Sequence, residues 1–279
     1  MTLFEVYKDS IKKLNNPDID EINIRILLCE INSLKSMSDF YLQKDEEIQD
    51  LQRFNDFLQR YLNGEPVQYI LVKTNFLGLE FLVDRRVLIP RQESEEVVSF
   101  AIKKIKEKYG DKPVDVLDVC CGSGVMGISL AKSIPISHLF LSDVSREAIE
   151  VSKANLVKQN LNGKLLVGDA LKPVISEGLK CDVLISNPPY ILKGENVDES
   201  VLDYEPHLAL FTDNNFSIYQ SIILDLEKIK KDQLLVVFEI GEHTREVIEP
   251  FLMMNFPTYQ FKFVKDMNGK ERILYIFIE

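Results

Sequence analysis

The segment Asn187-Pro188-Pro189-Tyr190 directly follows the apolar run Val183-Leu184-Ile185-Ser186. Two consecutive prolines remove two backbone N–H donors and fix two φ angles near −65°, so strand pairing stops there. The chain therefore leaves a buried strand as a stiff extended loop. That loop offers an Asn side-chain oxygen, a proline carbonyl and a flat ring to a small planar substrate. A loop poor in donors and rich in acceptors suits a substrate that presents an –NH₂ group. A lone Pro-Pro-Tyr is usually an ordinary turn after a strand, so the reading depends on what else shares the sheet edge.

Upstream stands Val114-Asp115-Val116-Leu117-Asp118-Val119-Cys120-Cys121-Gly122-Ser123-Gly124-Val125-Met126-Gly127. The apolar run predicts a buried parallel strand, the glycines a sharp turn, and Val125, Ile128, Leu130 and Ala131 an ensuing helix. Strand, glycine turn and helix make the nucleotide-edge crevice of a doubly wound sheet. The dinucleotide fingerprint is broken at Cys120, and no P-loop lysine follows. Asp118 at the strand's end speaks for a ligand with ammonium or hydroxyl groups rather than for a phosphate.

Leu139-Phe140-Leu141-Ser142 ends in Asp143, about 20 residues past the glycines, where an acid takes ribose hydroxyls in Rossmann-like sites. Ser145 reads as the N-cap of the next helix. A third strand, Leu165-Leu166-Val167, ends at Gly168-Asp169-Ala170. Successive βα units thus bring Asp118, Asp143, Asp169 and Asn187 to one rim, where open α/β sheets bind ligands. Any one such acid is commonly a helix cap; the ordered set points to a nucleoside site.

With these residues in view, the chain resembles the bacterial protein-glutamine methyltransferases that modify peptide chain release factors. The resemblance is carried by Gly64-Glu65-Pro66-Val67-Gln68-Tyr69-Ile70, Leu88-Ile89-Pro90-Arg91 with Ser94-Glu95, and the Asn-Pro-Pro-Tyr loop. Glu205-Pro206, Glu239-Ile240-Gly241 and the stretch from Asp266 to Arg272 complete it. It implies an α/β fold, a Rossmann-like class I methyltransferase sheet with a small N-terminal helical bundle and a connecting β-hairpin. It implies S-adenosylmethionine as cofactor, S-adenosylhomocysteine as product, and a release factor as protein substrate. Cofactor contacts are expected from Asp118, Cys120, Cys121, Gly122, Ser123, Gly124, Asp143, Asp169, Ala170 and Asn187. Asn187, Pro188 and Tyr190 are the expected catalytic residues, with Pro189 also lining the substrate. Cys120-Cys121 stands where the family usually has glycine and threonine, and Ala170 where an aromatic residue is common. Two alternatives stay open: a ribosomal-protein glutamine methyltransferase, and an adenine-N6 methyltransferase of DNA or RNA that uses the same tetrapeptide. A noncatalytic nucleoside-binding regulator would have no need of the complete loop.

Composition fits this class. The formal net charge is −11, which counts against a nucleic-acid substrate, since phosphate neutralisation by Lys and Arg dominates such affinity. No apolar run reaches the ~20 residues of a membrane span. The start lacks a signal-peptide pattern, and a cytoplasmic protein is expected; the expected form is a monomer. Cys29, Cys120, Cys121 and Cys181 show no zinc spacing and read as reduced thiols; with His138, His207 and His243 scattered, no metal site is expected. His207 reads as a loop residue.

The predicted organisation is a helical substrate-recognition domain over 1–63, a linker and hairpin over 64–90, and the methyltransferase domain over 91–279. Within the bundle the expected apolar stripes are Phe4, Tyr7, Ile11 and Leu14; Ile22, Ile26, Leu27 and Ile31; and Leu51, Phe54, Leu58, Tyr61 and Leu62. Asn15-Asn16-Pro17-Asp18 reads as the loop between the first two.

Overall fold

The structure, a computed structural model, describes residues 1–14, 20–214 and 216–279. The expected loop at Asn15-Asn16-Pro17-Asp18 lies outside the described residues. Two compact units emerge: Met1–Lys73 with Glu199–Tyr204, and Thr74–Asp198 with Glu205–Glu279. No helix among the described residues is long and apolar enough to cross a membrane.

The first unit contains α1 (Leu3–Ile11), α2 (Glu21–Ile31), α3 (Met37–Leu42), α4 (Leu51–Leu62) and α5 (Val67–Leu71) around Leu3, Val6, Ile24, Leu27, Phe40 and Phe54. The buried stripe of α1 is Leu3, Val6 and Ser10, one position out of phase with the expected one. Thr2 and Glu5 form a capping box that starts the helix at Leu3, and the rings of Phe4 and Tyr7 stay at the edge under Lys8 and Arg25. Ile22, in the first turn of α2, is 41% exposed, and Leu51, which opens α4, is also exposed. The segment 64–71, which sequence pattern assigns to a linker, is largely helical, because Val67 and Ile70 close the bundle core. Glu65 is buried there and accepts two hydrogen bonds from Arg60, Nε at 2.7 Å and Nη2 at 2.8 Å.

The second unit opens with a hairpin, Thr74–Phe76 against Leu79–Phe81, whose turn residues Leu77 and Gly78 both have positive φ, +48° and +75°. That is the handedness a two-residue turn needs to match strand twist. A seven-stranded sheet follows: β1 (Val114–Val119), β2 (Ile136–Asp143), β3 (Lys164–Val167), β4 (Cys181–Ser186), β5 (Lys230–Glu239), β6 (Gln260–Lys265) and β7 (Glu271–Ile278). Their spatial order is β6-β7-β5-β4-β1-β2-β3, with β7 antiparallel to both its neighbours and the rest parallel.

Every residue of β1 is buried, as a parallel strand covered on both faces must be. Alternate residues go to opposite faces. Val116, Val183, Ile185 and Val237 meet α6 (Gln92–Tyr109) and α7 (Val125–Ser133) on one face. Leu117, Leu184, Val236 and Phe238 meet helices Ser217–Leu224 and Thr244–Asn255 on the other. Register brings the strand ends level: Val119 lies opposite Ser142 and Ser186, Asp143 opposite Val167, and Ser186 opposite Phe238. Whatever follows those positions shares one rim.

Candidate active site

A cavity of about 310 Å³ opens at this rim. Of the residues expected there, Cys120, Cys121, Gly122, Ser123, Asp143, Asp169, Ala170, Asn187 and Pro189 line it. Asp118, Gly124, Pro188 and Tyr190 do not.

The turn after β1 is fixed from three sides. Gly122 donates its backbone N–H to Asp143 Oδ2 at 2.9 Å, Ser152 Oγ donates to the Gly122 carbonyl at 2.8 Å, and Asn155 Nδ2 donates to the Ser123 carbonyl at 2.9 Å. Asp143 Oδ1 accepts from Ser145 N, also at 2.9 Å, while Ser145 Oγ caps α8 (Arg146–Lys158) by accepting from Ala148 N. Burial pushes the Asp143 carboxyl up and these backbone donors pull it down. Each of its oxygens keeps a further lone pair for a ligand. Cys120 has φ +58° and Ala170 φ +48°. Both hold left-handed backbone that favours glycine, a strain of about 1–2 kcal/mol each, and this accounts for the glycine the family usually has at the first position.

Asp118 lies beneath the turn rather than in it. It is 1% exposed, and its Oδ2 accepts from Gly127 N at 2.8 Å. Gly127 has to be glycine because a Cβ there would sit 2.8 Å from Asp118 Cβ and 2.9 Å from Leu141 Cδ2. Burial, with the nearby Asp143 charge adding to it, pushes the Asp118 carboxyl up to about 7, against the pull of the Gly127 N–H. An unfolded Asp ionises near ~3.9. The native chain therefore holds a proton that the unfolded chain has released, and the resulting stabilisation is lost as pH rises through about 7. Glu239, likewise pushed up to about 7 by burial, has the same sign. We expect Asp118→Asn to flatten the fall in melting temperature between pH ~4 and ~7. A variant whose melting temperature follows the wild-type pH curve would place the titrating group elsewhere.

The Asn-Pro-Pro-Tyr loop is held from behind. The Tyr190 ring lies on Gly241, where a Cβ would come within 2.8 Å of Tyr190 Cδ2. Burial raises the Tyr190 phenol to about 12. Ser94, in the first turn of α6, donates to Glu239 Oε2 at 2.6 Å and accepts from Asn187 Nδ2 at 3.5 Å. Pro188 is buried. The far wall is set by Glu205, whose Oε2 accepts from Ile89 N at 3.1 Å and whose Oε1 accepts from Arg91 Nη2 at 2.5 Å. This ties down the strap that brings Leu88 and Pro90 to the cavity. Asp169 pairs with Lys172 at 2.6 Å and is half exposed. His207, expected in a loop, opens the short helix His207–Leu210 because Pro206 at the preceding position pre-sets its entry.

Sequence reasoning left Ser94 and Glu239 without a role. Each stands in a segment that carries the family resemblance, but they are 145 residues apart and no periodicity links them. Only the sheet edge brings them together.

Sheet order, glycine turn, rim acids and tetrapeptide define a Rossmann-like methyltransferase domain of class I. The family described as Methyltransferase small domain matches residues 99–204, and the PrmC N-terminal domain matches residues 5–71. The release factor glutamine methyltransferase of Staphylococcus aureus is 39% identical over 227 residues, covering 80% of each chain. That of Bacillus subtilis is 34% identical over 279 residues, 98% of this chain and 96% of its own. Among solved structures, the hMettl16 catalytic domain aligns with a TM-score of 0.54 at 13% identity over 83% of both chains, a likeness of fold. The chain belongs to the release factor glutamine methyltransferase family.

That family uses S-adenosylmethionine, and the residues present fit it. Asp143 keeps acceptor capacity for hydroxyls, and Ser142 Oγ, on a residue that lines the cavity, is a buried polar atom with no protein partner. The polar groups at the turn are carboxylates, as suits a ligand with hydroxyl and amine donors.

Proposed function

We propose that this chain transfers a methyl group from S-adenosylmethionine to the side-chain amide nitrogen of a glutamine in a peptide chain release factor. The observation that carries the reading is that Asn187 and Asp143 line one cavity at the carboxyl edge of the sheet. When bound in this cavity, S-adenosylmethionine would supply an electrophilic sulfonium methyl group.

An amide nitrogen is a weak nucleophile because its lone pair is delocalised into the carbonyl. The chain's task is to orient it. Asn187 Oδ1, on the cavity wall, accepts one amide N–H and turns the nitrogen lone pair toward the methyl group; the Pro188 carbonyl, on a buried residue behind that wall, would take the second N–H once substrate has entered. Both bonds strengthen as positive charge builds on nitrogen, so they favour the transition state over the bound amide. Orientation of this kind supplies up to ~7–11 kcal/mol in well-aligned cases. Tyr190, braced on Gly241, keeps the loop in register for it. The proton leaves afterwards to water, since an N-methylated, protonated amide is strongly acidic.

The acceptor is a glutamine in an exposed, glycine-flanked loop. A net charge of −11 favours a protein over nucleic acid, and the names of the relatives favour a release factor. The helical unit contributes to recognition of the intact factor. The test is a labelled methyl donor with purified release factor, ribosomes and DNA as competing acceptors. Label is expected on one release-factor glutamine, with intact factor showing a KM at least ~10-fold below that of its loop peptide, because recognition is spread beyond one side chain. Label in ribosomal protein or DNA alone would move the assignment to one of those substrates.

A further inference from the structure

The amide of Asn187 is nearly symmetric in shape, so packing alone does not decide whether oxygen or nitrogen faces the cavity. The decision is made two residues away. Glu239 ends β5 and is 1% exposed; Ser94 is 3% exposed. With Glu239 ionised, above about pH 7, the one proton of the Ser94 hydroxyl is taken by the short bond to Glu239 Oε2. A carboxylate only accepts, so Ser94 Oγ is left with lone pairs for Asn187. The Asn187 nitrogen must then face Ser94, and its oxygen the cavity. The reverse orientation sets two oxygen lone pairs against each other and turns N–H donors toward a substrate –NH₂.

We propose that Glu239, acting through Ser94, is the positioning residue that fixes the polarity of the Asn187 amide, and thereby makes the site select a glutamine amide over an isosteric carboxylate. The proposal rests on the glutamine-methylation reading above. The charge of the same carboxylate also reaches the Tyr190 phenol, so Glu239 stands behind both ends of the tetrapeptide. Arg272 lies close enough to favour its ionised form. The 3.5 Å separation between Asn187 and Ser94 is long for a hydrogen bond, in the manner of sites that tighten when substrate enters.

Two variants separate this role from simple packing. Ser94→Ala removes the relay and keeps the carboxylate. Glu239→Gln keeps the shape but offers a donor, which frees the Ser94 proton to turn toward Asn187 and invert the chain of donors. The first readout is binding, without turnover, of two loop peptides to the S-adenosylhomocysteine complex, one with glutamine and one with glutamate at the acceptor position. The wild-type chain is expected to prefer glutamine, and both variants to lose most of that preference while their affinity for S-adenosylhomocysteine stays within about twofold. The second readout is turnover above neutrality. There kcat is expected to fall ~10–100-fold in both variants with little change in KM, as for a modest misplacement of a positioning group, and Ser94→Thr, which keeps the hydroxyl, is expected to restore it. A Ser94→Ala variant with wild-type peptide discrimination and kcat overturns the proposal and leaves the functional reading standing. A wild-type chain that methylates no glutamine overturns both.

Discussion

Asn187→Ala is expected to lower kcat by ~10²–10³, the usual cost of losing one pre-set hydrogen-bonding group at a developing charge. Cofactor affinity and melting temperature should change little. Asn187 follows β4 at the point where pairing has ended, and its side chain closes one wall of the cavity rather than filling the core. Truncation removes a polar amide, not a packed hydrophobe, so stability loss stays within ~1 kcal/mol. The effect falls on kcat because the bond from the substrate N–H to Asn187 Oδ1 strengthens only as nitrogen becomes cationic. An interaction made mainly in the transition state lowers kcat and kcat/KM together and leaves KM nearly unchanged. Single-turnover methylation with saturating cofactor is the measurement. A variant that turns over at the wild-type rate would reduce the tetrapeptide to a structural turn.

Much of this geometry is legible in the sequence because strand ends are simple to count. Each of β1 to β4 carries a short apolar run, and each run stops next to the residue that matters: Val119 before Cys120, Ser142 before Asp143, Val167 before Gly168, Ser186 before Asn187. What periodicity does not show is depth. Asp118 and Asp143 look alike in sequence, yet Asp118 is still inside β1, where its side chain turns under α7 and binds Gly127, whereas Asp143 ends β2 and reaches the turn. Two residues of strand separate a structural acid from a rim acid. In the bundle, the phase of α1 was set by its capping box, a local hydrogen-bonding device, rather than by the aromatic spacing. The Glu239–Ser94 contact belongs to a third kind. It joins the end of β5 to the first turn of α6, and no property of either segment alone predicts it.

Asp143→Ala is expected to weaken S-adenosylhomocysteine binding by ~1–3 kcal/mol, or roughly 5- to 150-fold, as for hydrogen bonds to a charged group. Two contributions have to be separated. The carboxylate organises the turn by accepting from Gly122 N and Ser145 N, so alanine leaves two backbone donors without their acceptor and loosens the loop. It also offers the remaining lone pairs to the ribose hydroxyls. A double-mutant cycle distinguishes the two, using S-adenosylhomocysteine and its 2′,3′-dideoxy analogue against wild-type and Asp143→Ala protein. If the carboxylate binds the ribose directly, removing the hydroxyls costs affinity in the wild type and almost nothing in the variant. If Asp143 only shapes the turn, the two ligands lose affinity equally on mutation and the coupling vanishes. Direct contact is the expected result, because Asp143 lines the cavity and each oxygen retains acceptor capacity beyond the single backbone donor it already holds. Calorimetry gives all four affinities, and a coupling indistinguishable from zero would remove Asp143 from the ribose contact.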